Sequence, residues 1–163
     1  MSDPMRYLSL HPVADLLVSR LVSRFRVEAE PAEVEGRWRS GVERATRLVP
    51  EGDGTPVTVI WTGFGVAVEA GHAYDRGFPV CGCDACDEDP DHLAQELEET
   101  LDALATGGLT EERRSRRFGP DEASIELRSS AGSSSSTGPL LEPDDPRHAI
   151  PAGTTTWPPW PYR

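Results

Sequence analysis

Hydrophobic positions near the start of the chain recur with the spacing of an α-helix. The positions that share one side are Val13, Leu16, Leu17, Leu21 and Phe25. Polar residues fall mostly on the other side, and Pro12 suits a first helical turn because its missing N–H would have no partner there. The pattern predicts a helix after LHP, followed by a short extended segment, FRVEAEP, that ends at Pro31.

A second, weaker helix is predicted between residues 34 and 49. Its apolar positions, spaced by about four residues, are Val34, Trp38, Val42, Ala45 and Val49. Gly36 and Gly41 weaken this prediction, since each glycine costs a helix about 1 kcal/mol relative to alanine.

Two β-branched runs in the middle of the chain predict a hairpin. VTVIW (57–61) and VAVEA (66–70) are joined by TGFG, and the alternation places Val57, Val59 and Trp61 on one face. The segment ASIELRS (123–129) alternates in the same way and is predicted to add a third strand to this hairpin. Between the hairpin and that strand, LTEERRSRRF could begin a helix at Thr110.

The clearest predicted helix follows Asp89. Asp89 suits the N-cap, Pro90 the first helical position, and Asp91 the positive end of the helix dipole. Its apolar stripe consists of Leu93, Leu97, Leu101 and Leu104. The glycines at 107 and 108 are typical of a helix end.

These elements predict one α+β domain over residues 1–130, with a small antiparallel sheet, the hairpin plus one strand, packed against two to four helices. From residue 131 the composition changes. AGSSSSTGP is typical of a loop, and the extended Pro/Trp-rich C-terminal tail over the rest of 131–163 is too rich in proline to fold alone. We expect the tail, which ends TTTWPPWPYR, to dock on its own domain, with recognition by a partner as the alternative.

The charge of the chain is concentrated in one segment. The net charge is −12, and all sixteen basic residues are arginine. Residues 51–110 carry thirteen acids and one arginine, and no base lies between Asp84 and Asp102. Such a field repels nucleic acid and attracts cations or a basic protein surface, so we expect a protein partner with basic character and no nucleic acid.

Several functional classes are disfavoured by what the sequence lacks. Without lysine there is no Walker-type phosphate-binding lysine and no side-chain Schiff base. No run of about 18 apolar residues predicts a membrane span, and the N-terminus does not resemble a secretory signal. An odd number of clustered cysteines does not form a disulfide framework, so a reducing cytoplasm is the expected location.

The three cysteines, all within FPVCGCDACDEDPD, are candidate metal ligands. Cys81, Cys83 and Cys86 provide thiolates, and the spacing of the last two is that of a zinc knuckle. His72 and His92 are candidates for the fourth ligand, and Asp87 is a weaker one. The cofactor that this set would hold is zinc.

Other interpretations of the same stretch stay open. Buried cysteines also line tight turns as small hydrophobic groups. Redox chemistry is disfavoured because nearby acids raise the pKa of a thiol. A calcium loop beginning at Asp87 fails at its sixth position, where His92 replaces the required glycine. A zinc-dependent, hydrolase-like enzyme would need an open metal position, with Asp84, Asp87 or Glu88 as general base.

At AGHAYDRGFPVCGCDACDE the chain resembles an uncharacterised actinobacterial family, domain of unknown function 6226. The resemblance is densest over the CGCDACDE motif and runs from about residue 45 to residue 160. The family implies no activity. The sequence therefore predicts a non-enzymatic binding domain with an acidic, cysteine-bearing face and structural zinc, with the metal-dependent enzyme as the alternative.

Overall fold

The protein is described by a computed structural model over residues 3–81 and 87–163. Two antiparallel sheets dominate these residues. The first has five strands in the order β1-β2-β3-β4-β5, and the second has four strands in the order β8-β7-β6-β9. The strands are β1 (Val27–Pro31), β2 (Val42–Pro50), β3 (Val57–Thr62), β4 (Gly65–Ala70), β5 (Tyr74–Phe78), β6 (Leu109–Arg114), β7 (Glu122–Ser129), β8 (Gly132–Pro139) and β9 (Gly153–Thr156).

Helices are a minor part of this structure. The described residues form two α-helices, α1 (Leu10–Arg24) and α2 (Pro90–Ala105), and short 3-10 turns at Pro4–Ser9, Gly36–Trp38 and Pro146–Ala149. The predicted fold class, a small sheet packed against two to four helices, is therefore wrong. The chain is β-rich, and the predicted third strand (β7) lies in a different sheet from the hairpin.

Three local predictions were wrong for related reasons. The second predicted helix is a loop with one 3-10 turn followed by β2, because Gly36 and Gly41 adopt positive φ and interrupt any helix. The segment after Leu109 is strand β6, and the Ser-rich segment is strand β8, paired along its length with β7. Both segments are strands because they pair with a neighbouring strand. The local sequence pattern does not show which strand that is.

The other predicted elements are confirmed. Helix α1 buries Leu17 and Leu21, although Leu16 is exposed. The side chain of Asp89 accepts a hydrogen bond from the N–H of Asp91 and caps α2, whose four stripe leucines are buried. Strands β3 and β4 form the expected hairpin. Short β1 confirms the extended segment that ends at Pro31.

The main core lies between the inner face of the five-stranded sheet and the two helices. Val57, Val59 and Trp61 of β3 belong to this core, together with the leucines of α1 and α2. Helix α2 also packs on β7, so it joins the two sheets. A smaller apolar cluster lies on the outer face of the first sheet, beneath Trp38.

The C-terminal residues pack against α1 and the main core. Trp160 is buried, and its indole N–H donates to the carbonyl oxygen of Thr55 at 2.8 Å. The rings of Phe25 and Tyr162 stack with centroids 4.8 Å apart. The division at residue 130 stays a prediction, although β6, on one side of it, pairs with β9 on the other.

No helix within the described ranges is long and apolar enough to cross a membrane.

Candidate functional site: a cleft on the five-stranded sheet

A large cleft, with a volume of about 960 Å³, opens on the outer face of the five-stranded sheet. Strands β2 to β5 form its floor. The connection between β1 and β2 lines one side, and the connection between β8 and β9 lines another. The turn between β4 and β5 lies at its end near the second sheet. The cleft is therefore built from segments that are far apart in the sequence.

Two neighbouring rows of residues cross this outer face. The first row, Ala45, Ile60, Ala67 and Gly77, is apolar and directly paired from strand to strand. Trp38 covers it so closely that a β-carbon added at Gly77 would lie 2.5 Å from the indole ring. The second row, Arg47, Thr58, Glu69 and Asp75, is polar and forms the floor of the cleft. On this face, therefore, Trp38 covers the apolar row, whereas the polar row is open to the cleft.

The open row places two carboxylates opposite one another. Glu69 on β4 is the direct partner of Asp75 on β5. The β-carbons of such partners lie about 5 Å apart, and like charges in this position are destabilising. Arg37 approaches Asp75, with Nη1 3.7 Å from Oδ1. Glu69 has no ion-pair partner among the described residues, because Thr58 separates it from Arg47.

Both carboxylates are held in an environment that disfavours their charge. Burial, with a smaller contribution from the charge of Asp75, raises the pKa of Glu69 above its usual range. Burial also raises the pKa of Asp75, and the Arg37 guanidinium opposes this shift. A cation placed in the cleft would relieve both effects. The floor is therefore suited to a positively charged group.

A fully buried glutamate fixes the turn at the end of the cleft. Oε1 of Glu111, on β6, accepts the backbone N–H of Ala73 at 2.7 Å, and Oε2 accepts the backbone N–H of His72 at 2.9 Å. The indole N–H of Trp157 donates to Oε2 at 2.9 Å. Hydrogen bonds to an ionised acceptor are strong and offset the cost of burying it. Glu111 thereby ties the two sheets and the C-terminal segment together.

Among the described members of the predicted metal set, His72 and Cys81 lie apart. Cys81 follows β5 and is half-buried, whereas His72 precedes β5. A five-residue strand is about 16 Å long, so these two residues lie beyond opposite ends of it. The His72 ring lies against Trp157. His92 is in the first turn of α2, with Nε2 3.7 Å from Oε1 of Glu96.

Cys83 and Cys86 lie outside the described residues, and so does Asp84. Within residues 3–81 and 87–163, no three histidine, cysteine or acidic side chains converge as metal ligands. Two of the proposed general bases are engaged by the fold. Asp87 pairs with Arg6, and Glu88 accepts the N–H of Val80 at 3.2 Å. The zinc set as a whole stays a prediction.

The acidic face of α2 is partly neutralised by the protein itself. Arg20 of α1 lies 2.7 Å from Glu98 and 3.3 Å from Asp102. Arg76 of β5 lies 3.0 Å from Glu96. Half-buried, unpaired negative charge is therefore found at Glu69 in the cleft rather than along these parts of the helix. Sequence reasoning missed Glu69, although a single acid in the otherwise apolar VAVEA strand was a usable signal.

The described residues form a β-rich fold of two sheets, with an acidic cleft on the outer face of the first sheet. The chain matches the Family of unknown function (DUF6226) over residues 1–163 and belongs to that family. No curated protein and no solved structure matches it.

Proposed function

We propose that this protein is a non-enzymatic binding domain whose cleft, on the outer face of the five-stranded sheet, accepts a cationic group of a partner. The observation that carries the proposal is Glu69, a half-buried carboxylate that faces another carboxylate and has no ion-pair partner in the described part of the chain. A fold retains such a group at a cost, and a cation would offset that cost. Glu35 and Asp144 at the rim add negative charge.

The raised carboxyl pKa values support the same conclusion. Perturbed carboxylates in a cleft are typical of functional sites, and here the causes are identified: burial raises both pKa values, and the charge of Asp75 adds to the shift at Glu69. The cation of the ligand would take the position that no arginine of the described chain occupies beside Glu69.

The test uses agmatine, which carries a guanidinium and an amine, as the probe in an NMR titration. We expect wild-type protein to bind it with shifts at the β4–β5 turn, and Glu69→Gln to weaken binding about tenfold through loss of a charge-assisted contact. Glu28→Gln is the matched control, because Glu28 is exposed on β1 and does not line the cleft. Equal affinity in wild type and Glu69→Gln, or no binding at millimolar agmatine, would contradict the proposal.

The cysteine segment supports a separate proposal of structural zinc on an acidic face that meets a basic partner. Three thiols within six residues, two of them with knuckle spacing, motivate it. The metal content of untagged protein from zinc-supplemented medium should approach one per chain and fall in Cys83→Ser. A wild-type value below about 0.2 per chain would contradict a structural site, because such sites bind zinc tightly.

A further inference from the structure

Strand β5 is an outer strand of the five-stranded sheet, and its free edge differs from the other free edges. On the far side of the same sheet, β1 ends in proline and carries exposed glutamates, features that discourage pairing. In the second sheet, β8 is exposed along almost its whole length, and β9 has only four residues. The edge of β5, by contrast, forms one wall of a groove.

The groove follows β5 from Tyr74 to Arg76 through three cavities that share lining residues. The large cleft shares Ala73, Tyr74 and Asp75 with a second cavity of about 360 Å³. That cavity shares Arg76 and Leu127 with a third of about 180 Å³. Consecutive residues of one strand line the groove, which places the backbone edge, not one face, along it. The opposite wall is the face of β7 and β8.

We propose that this groove binds an extended peptide segment of a partner, which adds to β5 as a sixth strand and places a basic side chain beside Asp75 and Glu69. The part of this inference that concerns the basic side chain rests on the proposed function, the binding of a cation in the cleft. The strand addition is an independent claim, and it follows from the free edge.

The free edge supplies the hydrogen-bonding groups. Alternate residues of an edge strand direct their N–H and C=O groups away from the sheet. Among the described residues, no backbone group pairs with the outer edge of β5. An added strand would satisfy these groups, which is the usual source of affinity in this type of recognition.

The two faces of the added strand would meet different surroundings. A side chain in register with Asp75 continues the row Arg47, Thr58, Glu69 and Asp75, whose last two members are acidic. Side chains on either side of it point to the other face, where Ile125 and Leu127 of β7 provide apolar contacts. The groove therefore favours a pattern of one basic residue flanked by two apolar ones.

Most of the arginines near the groove are paired with acids of the same chain. Arg76 is paired with Glu96 at 3.0 Å, and Arg147 is paired with Asp145 at 2.6 Å. Both charges are therefore neutralised locally. Arg37 pairs with Asp75 at 3.7 Å, and Arg47, which has no ion pair among the described residues, is separated from Glu69 by Thr58. The large cleft is lined by four acids and two arginines, so its net charge is negative.

The test compares acetylated, amidated peptides of the sequence Thr-Val-Arg-Val-Thr in binding to the full chain, measured by calorimetry. One variant carries N-methyl groups on both valines, and another carries one on the arginine. Successive N–H groups of a strand point to opposite edges, so either the two valine amides or the arginine amide can face β5, but not both. We expect one variant to bind about tenfold more weakly and the other to bind like the parent peptide.

Amide hydrogen exchange gives a second readout. The parent peptide should slow exchange at alternate residues of β5 and leave β1, the opposite edge, unchanged. If both methylated peptides bind like the parent, or both lose affinity equally, strand addition is overturned. The cation-binding proposal would still stand in that case, provided that Glu69→Gln weakens the parent peptide and agmatine alike.

A peptide with glutamine in place of arginine tests the role of the basic side chain separately from strand addition. This peptide should keep the alternating response to N-methylation while binding about tenfold more weakly than the arginine peptide. Equal affinity of the two peptides would overturn the role of the basic side chain. Self-association of the chain through β5 without peptide, seen in sedimentation, would assign the edge to a second copy and overturn the proposal.

Discussion

Glu111 and Glu69 are both glutamates removed from full contact with water, and they differ in what surrounds the carboxylate. Glu111 is fully buried and accepts three N–H groups, two from the β4–β5 turn and one from the C-terminal region. Glu69 is half-buried, faces Asp75 and has no ion-pair partner among the described residues. The comparison indicates that the first carboxylate stabilises the fold, whereas the second is maintained at a cost in stability.

The largest effect is expected from removing the buried carboxylate. Glu111→Ala leaves the N–H groups of His72 and Ala73 and the indole of Trp157 without their acceptor, so we expect a loss of about 4 kcal/mol in the free energy of unfolding. Urea denaturation measures this loss. Glu112→Ala is the control on the same strand, where Glu112 pairs only with a surface arginine, and it should cost less than about 1 kcal/mol. Equal losses in the two variants would contradict the structural role of Glu111.

A smaller effect is expected at the glycine beside this carboxylate. Gly71 has a φ of 58°, and a β-carbon there would lie 2.6 Å from Oε2 of Glu111. Gly71→Ala should therefore lower the free energy of unfolding by about 2 kcal/mol, from backbone strain and the displaced carboxylate. Gly63→Ala is the control, since its nearest neighbour atom is 4.0 Å away. A neutral Gly71→Ala would indicate that the turn tolerates movement of the Glu111 side chain.

The helices and the hairpin were predictable because their signals are local. The N-cap at Asp89, the leucine stripe of α2 and the two-residue turn between β3 and β4 need no distant partner. The pairing of Thr58 with Glu69 follows from that turn, so these two members of the polar row on the cleft floor could have been predicted from the sequence. Arg47 was not, because it lies in a segment whose apolar spacing also fits a helix.

Glu111 and β8 could not be predicted for a different reason. The environment of Glu111 is created by a turn about forty residues away and by Trp157, and these contacts have no counterpart in the local pattern. Four consecutive serines favour a loop when considered alone, yet pairing with β7 holds them in a strand. In both cases tertiary contacts outweigh local propensity.

The smallest effect is expected at Glu69, and its sign is opposite to that at Glu111. Glu69→Gln removes a charge opposed by Asp75, so the free energy of unfolding at neutral pH should rise by about 0.5 kcal/mol. Exposed Glu28→Gln should change it by less than half of that. A loss of stability in Glu69→Gln would mean that its carboxylate supports the fold and would remove the contrast with Glu111.

The pH dependence of this gain distinguishes a charge effect from a packing effect. Because burial and Asp75 raise the pKa of Glu69, the folded state binds the proton more tightly than the unfolded state. Wild-type stability from this group is therefore greatest below the unfolded carboxyl pKa, about 4.3, and is lost as pH rises through the higher folded value. Glutamine cannot ionise, so the advantage of Glu69→Gln should be full at neutral pH and shrink as the pH falls to about 5. Urea titrations of both proteins at the two pH values measure it. An advantage that does not change with pH would assign the effect to packing and leave the charge of Glu69 without consequence for the fold.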